Sequence, residues 1–410
     1  MNLKLRLIIM NFLQYAVWGA WLISLGGYLG GTLNFSGLQI GSFFATMGIA
    51  SLFMPGIMGI IADKWIPAQK LLGICHIVAA IFLFIAAPQV KYGPLYTMIL
   101  LSVMFYMPTI ALSNSVAYNA LAKNGYDTIK TFPPIRVFGT IGFIISMITV
   151  DLLNFTTNPN QLYLSGSLGL LLGLYSFTLP DCPISKTHDK KNWIDAFGLR
   201  AFTLFKQKKM AIFFIFSMLL GMSLQITNAY ANDYLTNHFG SIPEFQDTFG
   251  VKHANILISL SQISETLCIL LIPFFLRRFG IKKVMLISMM AWVLRFGFLG
   301  LGNPGNGVWL LILSMIVYGV AFDFFNISGS LFVEKETTPD IRSSAQGVFM
   351  IMTNGFGAFI GSYIAGFVVD TFGWPDSWFV FSIYSLAVAI AFAFLFKYKH
   401  EPQTVQNIQH

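Results

Sequence analysis

Twelve runs of this chain are long and apolar enough to cross a lipid bilayer, and charge is nearly absent from them. A crossing needs about 20 mainly apolar residues. Inside lipid the backbone must satisfy its own hydrogen bonds, so each such run is expected to be a helix. The runs fall at roughly 7–30, 38–61, 68–88, 94–121, 134–153 and 160–180, then at 210–231, 254–276, 282–302, 307–331, 344–369 and 377–396. Composition agrees. Charged residues make up 10% of the chain, where a soluble domain carries about 25%, and the mean hydropathy is +0.69. The 41 Phe and 36 Gly suit lipid-facing surface and close helix contacts respectively. The expected class is an all-α polytopic membrane protein.

The basic residues orient it. Positive charge gathers on the cytoplasmic side of a membrane protein. With a cytoplasmic N-terminus, 21 of the 25 Lys and Arg fall in inner segments, only Lys91 and Lys252 in outer ones, and Arg136 and Arg295 within or at the edge of spans. Both termini are therefore expected in the cytoplasm. The net charge of +8 follows the inner leaflet, so nucleic acid is not an expected partner. The N-terminal apolar run passes Trp18, Trp21 and Tyr28 without a small-residue cleavage site and reads as a retained span. The longest interruption divides the spans six and six. It gives an N-terminal six-helix bundle over 1–180, a cytoplasmic central loop over 181–209 with a short surface helix near 193–205, a C-terminal six-helix bundle over 210–400, and a cytoplasmic tail over 401–410. Two parallel repeats rocking around a midplane site have this layout. Pro55 and Pro273 hold comparable places late in the second and eighth spans. Cys75, Cys182 and Cys268 imply no disulfide framework, and no Cys/His spacing implies a metal or cofactor.

An ionisable residue inside a span is costly unless paired, hydrated or protonated, and so marks a functional position. Glu265 lies in Ser261-Gln262-Ile263-Ser264-Glu265-Thr266, where Gln262 and Ser261 share its helix face. Asp323 lies in Tyr318-Gly-Val-Ala-Phe322-Asp323. Burial penalises an ionised carboxyl, so an acid alternately wetted and sealed can load and release a proton. A permanent ion pair is the competing reading, with Arg295 as candidate partner of either acid or of neither. Arg136 follows Pro133 and Pro134, which suit a helix start, and shares a face with Thr140 and Phe143. Snorkelling to the interface is its alternative role. Gln225 and Asn228 are three apart and offer donors and acceptors together, fitting either a polar cargo or helix–helix bonding. Phe143, Tyr318 and Phe322 are rings that could stack on a flat cargo. Trp18, Trp21, His76 and Asn354 with Gly355 and Gly357 read as packing.

Several of these stretches carry a resemblance. Gly59-Ile-Ile-Ala-Asp63-Lys64 resembles the G-x-x-x-D-R/K signature of the major facilitator superfamily, with the downstream basic pair reduced to Lys70. Trp18-Gly-Ala-Trp21-Leu22, Phe132-Pro-Pro-Ile-Arg136-Val-Phe-Gly-Thr140-Ile-Gly-Phe143, Leu224-Gln225-Ile-Thr-Asn228, Ser261–Thr266, Phe322–Ser328 and Ser344-Ala-Gln-Gly347 resemble the bacterial nucleoside:proton symporter family of that superfamily. The likeness covers nearly the whole chain. It implies the major facilitator fold in a bacterial inner membrane, and proton-driven uptake of purine and pyrimidine nucleosides such as uridine and adenosine by a monomer without cofactors. It also implies cargo contacts from Arg136, Thr140, Phe143, Gln225, Asn228, Gln262, Glu265, Tyr318, Phe322 and Asp323, coupling carboxylates at Glu265 and Asp323, and a gate at Asp63. A sugar:proton symporter or drug exporter of the same fold is the nearest rival, since spacing alone hardly separates them. A membrane enzyme is disfavoured, because the six His are scattered and no G-x-S-x-G or H-E-x-x-H occurs. A receptor that binds without transporting is the third reading.

Overall fold

A computed structural model describes residues 2–182 and 199–398. Among the described residues the chain is helical and contains no strand. Nine helices among the described residues are long and apolar enough to cross a membrane. In the first half they are α2 (Gly37–Lys64), α3 (Ala68–Ala86), α4 (Tyr92–Lys123) and α5 (Thr128–Leu152), with the shorter α1 (Leu3–Gly19) and α6 (Asn160–Ser176) packed among them. In the second half α7 (Lys208–Asp233), α8 (Ala254–Leu301) and α9 (Val308–Glu336) are followed by α10 (Pro339–Met350), a π-helical segment Ile351–Gly357, α11 (Ala358–Phe372) and α12 (Asp376–Leu395).

The 48 residues of α8 would measure about 72 Å if straight, more than twice the roughly 30 Å of hydrocarbon. The helix turns at Gly280 (φ 75°, ψ 169°). The two limbs carry the runs expected at 254–276 and 282–302. Of the central loop, Leu199–Lys206 forms a 3-10 helix; the rest of the expected surface helix lies outside the described residues, as does the tail 401–410. One expectation is corrected: Pro133 and Pro134 do not open their helix. α5 begins at Thr128, so both lie inside it. They are its sixth and seventh residues, past the first turn where a missing N–H costs nothing, so each leaves an i−4 carbonyl without its usual helical donor.

Among the described residues the hydrogen bonds between the two halves lie at one end. Asp370, at the end of α11, accepts the backbone N–H groups of Gly37 (2.5 Å) and Leu38 (2.8 Å) at the start of α2. Asp151, at the end of α5, accepts those of Asn255 (2.9 Å) and Ile256 (3.4 Å) at the start of α8, and its other oxygen meets His253 Nδ1 at 2.6 Å. Tyr230 donates to the Gly37 carbonyl and Asn237 to the Gly27 carbonyl. Small residues allow this approach: a Cβ on Gly41 would come within 2.2 Å of the Ser362 carbonyl oxygen. The opposite end carries the beginning of α1 and the end of α12. Among the described residues no hydrogen bond or ion pair joins the halves there, and Tyr118, Val137, Phe138 and Ile141 are exposed. Among the described residues the halves are held together at one end and share no hydrogen bond or ion pair at the other.

Candidate transport site

The polar faces of α5, α8 and α9 meet at mid-depth. Arg136 sits with its guanidinium carbon 3.8 Å above the Tyr15 ring. The same cation interacts electrostatically with the Glu265 carboxyl across the boundary between the halves. Glu265 in turn acts on Asp323. Gln262, one turn before Glu265, interacts with the Tyr318 hydroxyl. Tyr318 and Phe322 are stacked, with ring centroids 5.9 Å apart and planes 7° from parallel. Six of the expected site residues (Arg136, Gln262, Glu265, Tyr318, Phe322 and Asp323) therefore form one neighbourhood built from both halves.

Its acids are unspent. Asp323 is 5% exposed, and its Oδ2 has no hydrogen-bond partner. Among the described residues neither Asp323 nor Glu265 forms a close ion pair. The question of Arg295 is answered: it pairs with neither acid. It is 2% exposed, donates to the Ser314 carbonyl at 2.8 Å and to Ser261 Oγ at 3.4 Å, and lies 4.5 Å over the Tyr318 ring. Its work is to hold α8 against α9 and to seat Tyr318.

Gln225, Asn228, Thr140 and Phe143 stand apart from these contacts. None hydrogen-bonds to the Glu265 cluster. Gln225 is buried with its Oε1 unpartnered, while Thr140 and Asn228 are half-buried. A buried amide oxygen without a partner costs about 1–3 kcal/mol, which makes Gln225 a group awaiting a donor. Asp63 is exposed at the parted end. Tyr15 was not anticipated; only the fold shows that the face of α5 carrying Arg136 and Gly139 packs onto α1 at Tyr15. His76, read as packing, is fully buried and holds Gln14 Oε1 at 2.8 Å.

A helical bundle sealed at one end, parted at the other and carrying unspent acids between its halves is the form of an alternating-access secondary transporter. Residues 1–401 match the family described as "Nucleoside H+ symporter", and the chain belongs to it. The nucleoside permease NupG of Escherichia coli (strain K12) is 50% identical over 419 residues, covering 100% of both chains. The xanthosine permease of the same organism is 50% identical over 414 residues, 99% of each. A crystal structure of the nucleoside transporter NupG in its D323A mutant form matches with a TM-score of 0.94 over 97% of this chain and 100% of that one, at 50% identity. A bacterial homologue of the lysosomal transporter Spinster, inward-facing and unoccupied, matches at 14% identity with a TM-score of 0.67 over 96% of this chain and 95% of that one, a likeness of fold alone. The chain is thus a transporter of the nucleoside:proton class and not an enzyme, and the sugar-carrier reading is not favoured.

Proposed function

We propose that the protein imports purine and pyrimidine nucleosides, uridine and adenosine among them, together with protons across a bacterial inner membrane. It would do so as a monomer of twelve spans with both termini in the cytoplasm. The nine long helices leave three of the twelve expected spans, and these correspond to α1 with its continuation to residue 32, to α6 and to the second limb of α8. The asymmetry of Lys and Arg favours placing the parted end inward, which makes the described state inward-facing. The bundles 1–180 and 210–400 would rock about the site, with 181–209 as their connection.

The observation that carries the reading is the pair of carboxyls, Glu265 and Asp323, held at mid-depth between the halves without a close ion pair. A group of this kind is costly in a helix bundle unless a proton or cargo neutralises it. Arg136, Thr140, Phe143, Gln225, Asn228, Gln262, Tyr318 and Phe322 would complete the cargo site, with amides and acids on the ribose and base edges and rings against the base. Protons and cargo then favour each other's binding by reciprocal linkage. Asp63 would gate the cytoplasmic end.

The test is uptake of labelled uridine into proteoliposomes with and without an imposed pH difference. Wild type accumulates uridine above its outside concentration when the outside is acidic. Asp323→Asn and Glu265→Gln equilibrate uridine at best. Accumulation by both variants at the wild-type level would remove these acids from the coupling.

A further inference from the structure

The cation of the transport site owes its place to α1, and α1 is itself held from behind. Tyr15 carries the Arg136 guanidinium over its ring, 3.8 Å away. Gln14, the residue before it, turns instead into the interior of the first half and is fully buried. Successive residues of a helix point about 100° apart, so whatever fixes Gln14 about the axis of α1 also fixes the direction of Tyr15. Three hydrogen bonds converge on Gln14, all with α3 and α4. His76 Nε2, on α3, lies 2.8 Å from its Oε1. Its own Nε2 donates to Thr109 Oγ1 at 2.7 Å, and its main-chain carbonyl accepts from the Tyr106 hydroxyl at 2.7 Å. Thr109 in turn donates to the Tyr106 carbonyl at 2.5 Å.

The bond directions are fixed. The Gln14 amide nitrogen is spent on Thr109, so its oxygen accepts, and a neutral imidazole donates there only with its proton on Nε2. Nδ1 is then an acceptor, and it is buried without a partner among the described residues. Such an atom costs about 1–3 kcal/mol. An apolar side chain would pack against Tyr106, whose ring centroid is 5.8 Å from that of His76, without that cost. What offsets it is the Nε2–H, which grips Gln14.

We propose that His76 is a positioning residue for the transport site: through Gln14 it sets where Tyr15 holds Arg136. Being fully buried, it touches no cargo itself. The chain of contacts runs from α3 through α1 to α5, so the first half presents its cation from a braced surface, away from the acids of the second half. This rests on the reading of the chain as a nucleoside carrier and adds to it a support that no polar face of the site contains.

Two amide substitutions separate this role from packing. In His76→Gln the amide nitrogen stands near the place of Nε2 and can still donate to Gln14; in His76→Asn it stands near the place of Nδ1 and falls short. The uridine affinity of the full-length protein in lipid nanodiscs is measured for both, alone and combined with Tyr15→Leu, which removes the ring. His76→Asn weakens binding at least about fivefold, the equivalent of one hydrogen bond, and His76→Gln stays within about twofold of wild type. In the Tyr15→Leu background His76→Asn changes the affinity by less than about twofold, because the ring it positions is gone. If His76→Asn fails to fold, Gln14→Met, which keeps the length and removes both hydrogen-bonding ends, takes its place in the same cycle with the same loss expected. The assignment is overturned if His76→Asn binds as wild type does, if His76→Gln is as weak as His76→Asn, or if the losses from the His76 or Gln14 variant and Tyr15→Leu multiply. A wild type that binds no uridine would sink the carrier reading and this assignment with it, whereas failure of the assignment alone leaves wild-type binding intact.

Discussion

Tyr15 shows what a single residue can do for this site. Arg136 would be free to snorkel toward water from its place near the parted end, but the Tyr15 ring, 3.8 Å beneath its guanidinium, holds it inward toward Glu265. A partly desolvated cation–π contact contributes about 1–2 kcal/mol. Tyr15→Leu keeps an apolar side chain of similar reach and removes the quadrupole. It should raise the KM for uridine roughly fivefold to thirtyfold, by that same 1–2 kcal/mol, and leave the melting temperature within a few degrees; Tyr15→Phe should stay near wild type. An unchanged KM in Tyr15→Leu would separate Tyr15 from the site. Arg136, Glu265 and Asp323 stand out in the sequence because charge in a span has no bland explanation. Tyr15 does not, being one of many rings in an aromatic-rich chain, and its role exists only once α1 and α5 are packed together. The ambiguity over Arg295 had the same origin: its partners, the Ser314 carbonyl and the Tyr318 ring, carry no charge for a sequence reading to find.

The helices themselves were legible because their cause is local. Length and apolarity are read directly from the chain, and the nine long apolar helices among the described residues fall where apolar runs were expected. The breaks were less legible. The turn inside α8 rests on Gly280, whose φ of 75° and ψ of 169° fall in a region that is essentially restricted to glycine, where another residue costs about 1–3 kcal/mol. The sequence placed the break itself, between the runs 254–276 and 282–302; what it did not show is that the helices on either side meet at this one glycine. Gly280→Ala should lower the melting temperature in detergent measurably, while uptake per folded molecule at 20 °C remains close to wild type. A variant as stable as wild type would mean that the turn does not need the glycine. The early start of α5 was missed for a related reason: two prolines signal an N-terminus statistically, whereas here the helix continues through them from Thr128. The π-helical segment was not legible, because no sequence pattern distinguishes a widened turn from an ordinary one, whereas Gly355 and Gly357 within it pack as read, against Leu52 and Met218.

At the scale of the whole molecule the closed end has a twofold logic. Asp370 ends α11 and binds the first N–H groups of α2; Asp151 ends α5 and binds those of α8. Each half thus offers an acid to the start of the other half's helix, where the helix dipole favours negative charge. Pro55 lies eighteen residues after Gly37, and Pro273 eighteen after Asn255, so the repeat that was faint in sequence is regular in these two helices. The two latches are unequal. The Asp151 side chain is fully buried and also holds His253, whose ring is 34% exposed, whereas Asp370 is exposed and its contribution is screened by solvent. Hydrogen bonds to a charged group contribute about 1.5–3 kcal/mol each, and reversing a two-state population from 1:99 to 99:1 takes about 5.5 kcal/mol. Losing Asp151 should therefore move much of the population toward opening at this end, and losing Asp370 should move less. Spin labels on Val90→Cys and Asn306→Cys, one on each half near this end, would report it. Wild type should give a single short distance, Asp370→Ala a minor longer component, and Asp151→Ala a dominant one, with uptake falling in the same order. Distances unchanged in Asp151→Ala would show that the glycine contacts, such as Gly41 against Ser362, hold the halves together without the acids.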